Sequence, residues 1–83
     1  MSDPLIMAEV SQIIRRTFRQ PGAQISRETQ ALDIDGWDSL SHTTLILEVE
    51  KRFDVRLPPD RVFDLADVGE LVDLIAQATT ARR

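Results

Sequence analysis

Ser39 is the residue in this sequence with the most chemistry open to it. It stands in the run Gly36-Trp37-Asp38-Ser39-Leu40, and the chain's single histidine, His42, follows three residues later. A serine in the first turn of a helix offers its hydroxyl at the positive end of the helix dipole, beside backbone N–H groups that lack partners. An anion attached there is placed where negative charge is stabilised. The other residue types leave little room for alternatives. There is no cysteine, which removes disulfides, thiolate metal sites and an intrinsic thiol nucleophile. One histidine excludes a multi-histidine metal site. With no Gly-rich phosphate loop either, there is little from which to build a catalytic centre, so neither catalysis nor a bound metal is expected. Two plainer readings of Ser39 stand beside this one: a favourable first-turn residue, or a phosphorylation site.

The elements that must position Ser39 are helical. A first helix is predicted over about Pro4 to Arg19, with Asp3 as N-cap and Pro4 at the first helical position, where its missing N–H costs nothing. Ile6, Val10, Ile13 and Thr17, joined by Met7, Ile14 and Phe18, make its apolar stripe. Glu9 lies early and Arg15, Arg16 and Arg19 late, matching the dipole, and Pro21-Gly22 ends it. Residues 20–37 form a connection unusually long for so small a domain, with Ile25, Leu32 and Ile34 spaced as anchors and Gly36 supplying a turn. The second helix is predicted from Ser39 to Phe53 with Asp38 as N-cap. Its inward face is read as Leu40, Thr43, Ile46, Val49 and Phe53, flanked by Leu45 and Leu47. Pro58-Pro59 cannot continue it. A short helix fits Asp60 to Leu65, with Val62, Phe63 and Leu65 as its apolar contacts. The last helix runs from Val68 to about Ala78, opened by a capping-box-like Asp67 and Glu70 and striped with Val68, Leu71, Val72 and Ile75. Thr79 to Arg83 is read as a frayed tail. The prediction is one all-α domain over residues 1–83 with a core of about 4–78: a small bundle of three longer helices and one short one, with a long loop after the first.

Composition agrees. Eighty-three residues make one small domain, which buries only about 60–65% of the surface of its unfolded chain. Aromatics are limited to Trp37, Phe18, Phe53 and Phe63, so the core must be mostly Leu, Ile and Val. Asp3, Pro4 and Glu9 interrupt the first ten residues, and no apolar run approaches the roughly 20 residues of a membrane span. A soluble cytoplasmic monomer is expected. The net charge of −4 is uneven: residues 33–75 hold eleven acids against four bases. That balance disfavours nucleic acid and anionic membranes and favours basic partner surfaces, although an acidic surface also simply keeps a small protein soluble.

The Gly36-Trp37-Asp38-Ser39-Leu40 run resembles the Gly-x-Asp-Ser-Leu motif of acyl and peptidyl carrier proteins. The frame around it is similar too: a central serine, a long anchored loop before it, an amphipathic helix ending in Glu50-Lys51-Arg52-Phe53-Asp54, then Leu57-Pro58, a short helix and a final apolar helix. The resemblance covers roughly residues 5–76. It implies that Ser39 receives 4′-phosphopantetheine from coenzyme A, through a phosphopantetheinyl transferase that recognises Asp38 and Leu40. It also implies a loading ligase for acyl or aminoacyl groups, and downstream synthase or transferase enzymes. Trp37, His42, Glu48, Asp60 and Asp64 are the candidate partner-binding residues. Leu40 has both a core and a recognition reading, with partial burial favoured. Trp37 either packs on Ile34 or stands out as a partner anchor, and His42 reads as a surface polar residue. One departure matters. Fatty-acid carriers are strongly acidic along the second helix, whereas the polar positions here read Ser41, His42, Thr44, Glu48, Glu50, Lys51 and Arg52. A specialised lipid, fatty-acid-like or polyketide pathway is therefore expected. An aminoacyl or peptidyl carrier and a non-covalent acidic helical adaptor are the competing readings.

Overall fold

The computed structural model describes residues 3–81, without the side chains of Asp3 and Ala81. It is all-helical among those residues, with four α-helices and a single 3₁₀ turn. Helix α1 spans Asp3–Thr17. It buries Ile6, Val10, Ile13 and Ile14, the line expected from their spacing, while Met7 and Thr17 are half-buried. It stops two residues earlier than predicted, because the chain turns before it reaches Pro21-Gly22. Arg19 adopts φ 55°, so that its N–H meets Arg16 O at 3.4 Å and the Gln20 N–H meets Arg15 O at 2.9 Å. This paired closure satisfies two of the helix's last carbonyls. The expected Asp3 cap concerns a side chain outside the described set.

Helix α2 spans Ser39–Phe53, as predicted, because both ends carry strong local signals. The Asp38 carboxylate caps its start, and Asp54 closes it at φ 54°, with Val55 N–H bonded to Glu50 O at 3.1 Å. Its phase differs from the prediction. The buried residues are Leu45, Ile46, Val49 and Phe53, whereas Leu40 is 79% exposed and Thr43 is also exposed. The helix is oriented by Leu45 and Val49, both fully buried. His42, three residues before Leu45, therefore lies on the inward line and Leu40 does not. Leu47, read as flanking the core, is 55% exposed.

Helix α3 is a single turn, Pro59–Val62, shorter than the predicted 60–65. Val62 is buried, Leu65 is half-buried, and Phe63, expected to be an apolar contact, is 62% exposed. Helix α4 spans Val68–Ala81. It buries Val68, Leu71, Val72, Leu74 and Ile75 and continues through residues 79–81, which were read as frayed. Asp67 Oδ1 accepts the Glu70 N–H at 3.0 Å. The reciprocal bond of a capping box falls one residue early, with Ala66 N–H donating to Glu70 Oε1 at 2.8 Å.

Helix α1 packs on both α2 and α4, and the connection over residues 18–38 closes the bundle's remaining side. Ile34 is buried and Ile25 half-buried, as expected of anchors. Leu32 is 92% exposed, because it lies in the 3₁₀ turn Ala31–Asp33, which turns away from the core. The loop is held mainly through its backbone. Val68 N–H donates to Thr29 O at 2.9 Å and Gly69 N–H to Arg27 O at 2.8 Å, so the loop supplies partners for two unpaired donors at the start of α4. Gly69 permits this approach: a Cβ there would lie 3.0 Å from Arg27 O.

Candidate functional site

The site lies where the loop delivers the chain into α2. Gly36, at φ 87°, makes the turn that glycine's missing Cβ allows. Asp38 follows in extended conformation, and its Oδ1 accepts the Ser41 N–H at 2.9 Å. That backbone bond, then a side-chain bond with Ser41, holds the Asp38 carboxyl below its ordinary value. The first α2 hydrogen bond, His42 N–H to Asp38 O, is 2.8 Å long. Ser39 is thus the first helical residue. It is exposed, and no hydrogen bond engages its hydroxyl among the described residues.

Beneath Ser39 a row of rings ties the site to the scaffold. The indole of Trp37 stacks on Phe18 at 5.0 Å between centroids and on His42 at 6.0 Å. Its Nε1–H donates to His42 Nδ1 at 3.0 Å. This bond assigns the imidazole proton to Nε2, which donates to Val62 O at 2.6 Å. Phe63 continues the row, its ring 5.5 Å from that of His42. One neutral imidazole therefore bridges the loop end, the first turn of α2 and the end of α3. His42 is half-buried, not the surface residue expected. Trp37 is half-buried, stacked on Phe18 and packed against the core cluster that includes Ile34, and its N–H donates to Ile34 O at 3.4 Å.

A cleft of about 360 Å³ opens beside the serine. It is lined by Trp37, Asp38, Ser39 and His42 from the loop end and the start of α2, and by Phe63, Leu65 and Leu71 among others. Of the sequence-predicted site residues, the fold brings these first four together. Leu40 and Glu48 do not line the cleft, and Asp60 and Asp64 border a separate groove between α3 and α4. Sequence reasoning missed Thr29, Leu65 and Asp67 as cleft-lining residues. Only the Asp67 cap gave any hint that the start of α4 would face Ser39. No group of His, Cys, Asp or Glu side chains among the described residues is arranged to hold a metal ion.

An exposed hydroxyl on the first turn of a helix, beside a partly apolar cleft, fits a phosphodiester-linked arm: the anion lies at the helix N-terminus and the chain can lie along the groove. The comparisons agree with that fit. Residues 5–75 match the family model described as phosphopantetheine attachment site. An acyl carrier protein of Acidothermus cellulolyticus is 33% identical over 81 residues, covering 98% of this chain and 96% of that one. One from Kineococcus radiotolerans is 30% identical over 77 residues, 93% of this chain and 95% of the other. The solution structure of a holo acyl carrier protein from Geobacter metallireducens superposes with a TM-score of 0.83 at 33% identity, over 92% of this chain and 87% of that one. The prosthetic group these matches indicate is covalently attached 4′-phosphopantetheine. On motif, fold and relatives together, the chain belongs to the acyl carrier protein family.

Proposed function

We propose that this protein holds acyl groups as thioesters on a 4′-phosphopantetheine arm attached through Ser39 Oγ, and delivers them to partner enzymes of a specialised lipid or polyketide pathway. The observation that carries the reading is the exposed, unbonded Ser39 hydroxyl at the first position of α2, at the mouth of the cleft. A phosphopantetheinyl transferase forms the Ser39 O–P bond and breaks the pyrophosphate bond of coenzyme A, releasing adenosine 3′,5′-bisphosphate and the serine proton. The serine needs no activated neighbour of its own. The bound arm supplies the chain's only thiol, since the sequence has no cysteine. Tethering cargo to it raises the effective concentration at each partner.

The chain's own residues position and present the arm. Asp38 fixes the start of the helix, and with the exposed Leu40 it forms the edge offered to the transferase. Trp37 and His42 line the cleft beside it. Glu48, Asp60 and Asp64 supply acidic contacts farther from the serine. The proposed site of action is the cytoplasm; separately, no helix among the described residues is long and apolar enough to cross a membrane.

The test is intact mass after incubating the apo protein with a broad-specificity phosphopantetheinyl transferase and coenzyme A. One phosphopantetheine increment, abolished in Ser39→Ala, is expected. No increment under conditions that modify an established carrier defeats the reading.

A further inference from the structure

The bond between Trp37 and His42 is specific for one charge state of the imidazole. Nδ1 accepts the indole Nε1–H at 3.0 Å, while Nε2 meets Val62 O at 2.6 Å. An imidazolium carries a proton on both nitrogens and has no acceptor left. Its Nδ1–H would point at the indole N–H, donor against donor. The two ring planes lie 24° apart with centroids 6.0 Å apart, and the facing nitrogens are only 3.0 Å apart, so the rings meet along their N–H edges. The edge of an aromatic ring is its positive rim, where a cation gains nothing. The second bond responds in the opposite sense, because Nε2–H to Val62 O becomes charge-assisted and stronger. Acid therefore keeps His42 on the end of α3 and releases Trp37.

We propose that the Trp37–His42 pair is an acid-sensitive latch on the wall of the cleft beside Ser39: the neutral imidazole holds the indole at the start of α2, and the imidazolium lets it go. Histidine is the side chain whose charge ordinarily changes between about pH 5 and 8. His42 is half-buried and lines the cleft, so solvent protons can reach it. Asp38 at the loop end and Asp67 at the start of α4 are the titratable groups that line the same cleft. From α3, Asp60, Arg61 and Asp64 border the separate groove, together with Glu70 of α4. The residue after α1 contributes the uncharged ring of Phe18 to the row, and α2 has no other charged side chain between Ser39 and Leu47. Trp37 stands two residues before Ser39, so its release widens the cleft next to the serine. The latch goes beyond the carrier reading and does not depend on it, since it belongs to the unmodified chain.

One histidine and one tryptophan give the full chain a single imidazole and a single indole signal in NMR. The protein, with Ser39 unmodified, is titrated from about pH 8 to about pH 5. As His42 protonates, cross-relaxation between the indole Nε1–H and the His42 ring protons is expected to vanish, while that between the His42 and Phe63 rings persists. His42→Gln keeps one acceptor and one donor but has no charge to gain, so its indole signal is expected to stay fixed. In Trp37→Phe, which keeps a ring on Phe18 without the N–H, His42 is expected to bind its proton about threefold more tightly. Persistence of the Trp37–His42 cross-relaxation after protonation overturns the proposal, as does loss of both cross-relaxations together. So does an unchanged proton affinity in Trp37→Phe, an indole signal that moves equally in His42→Gln, or a His42 that stays neutral throughout the range.

Discussion

Asp38 governs the geometry of Ser39, the proposed attachment residue. Its carboxylate takes the Ser41 N–H, and its own carbonyl takes the first α2 hydrogen bond from His42. Asp38→Asn keeps a capping oxygen but removes the charge, which isolates the electrostatic part of the cap. The carboxyl is held below its ordinary value of 3.8, chiefly by the Ser41 backbone bond. A group depressed in the folded state contributes stability that is complete above its unfolded value and is lost as pH falls through the folded one. The stability difference between native protein and Asp38→Asn should therefore be constant from neutral pH down to about pH 4 and disappear below it. Urea unfolding across a pH series measures this. The motif around Asp38 was legible because a cap and a first-turn serine are local facts. The role of His42 was not: its two partners, Trp37 Nε1 and Val62 O, are 5 and 20 residues away, and one of them is a backbone atom.

Among the elements, α4 depends on the loop for its start, and Gly69 is the point of closest approach. Alanine there would gain about 1 kcal/mol of helix propensity. Its Cβ would also lie 3.0 Å from Arg27 O and 3.2 Å from Arg27 Cβ. The carbonyl is backbone and is already bonded to Gly69 N–H, so it cannot withdraw without losing that bond. Overpacking of this kind costs about 1–3 kcal/mol, so Gly69→Ala is expected to lose about 1 kcal/mol net in chemical denaturation. A gain in stability would show that the loop can give way. The bounds of α2 were readable from Asp38 and the two prolines, but its rotation was not. Leu40 and Leu47 are as apolar as Leu45, and an amphipathic reading cannot tell a core leucine from one reserved for the surface. Leu32 misled in the same way.

For the molecule as a whole, the aliphatic core holds the fold, and the long-range ion pairs contribute little. Arg52 meets Glu9 at 2.7 Å between α2 and α1, and Arg27 meets Asp73 at 3.0 Å between the loop and α4. All four side chains are a third to a half exposed. Arg52→Ala is expected to cost less than about 1 kcal/mol. Leu45→Ala, at a fully buried position, should cost about 3 kcal/mol. For a domain whose total stability is of order 5–15 kcal/mol, the second loss is a large fraction and the first is not. Unfolding curves of the two variants under one set of conditions provide the comparison. The architecture was legible at this scale because its core is a set of 3.6-residue stripes separated by Gly and Pro. The loop's seat on α4 was hidden because carbonyl acceptors leave no trace in side-chain identity.

Trp37 is the only tryptophan, and the chain has no tyrosine. Essentially all of the protein's intrinsic fluorescence therefore originates from one indole, stacked between Phe18 and His42 and forming part of the cleft wall beside Ser39. The molecule carries its own optical reporter next to Ser39, the proposed attachment point. If the proposed arm and its cargo enter the cleft, emission from that indole is expected to change on loading, with no label added to the protein.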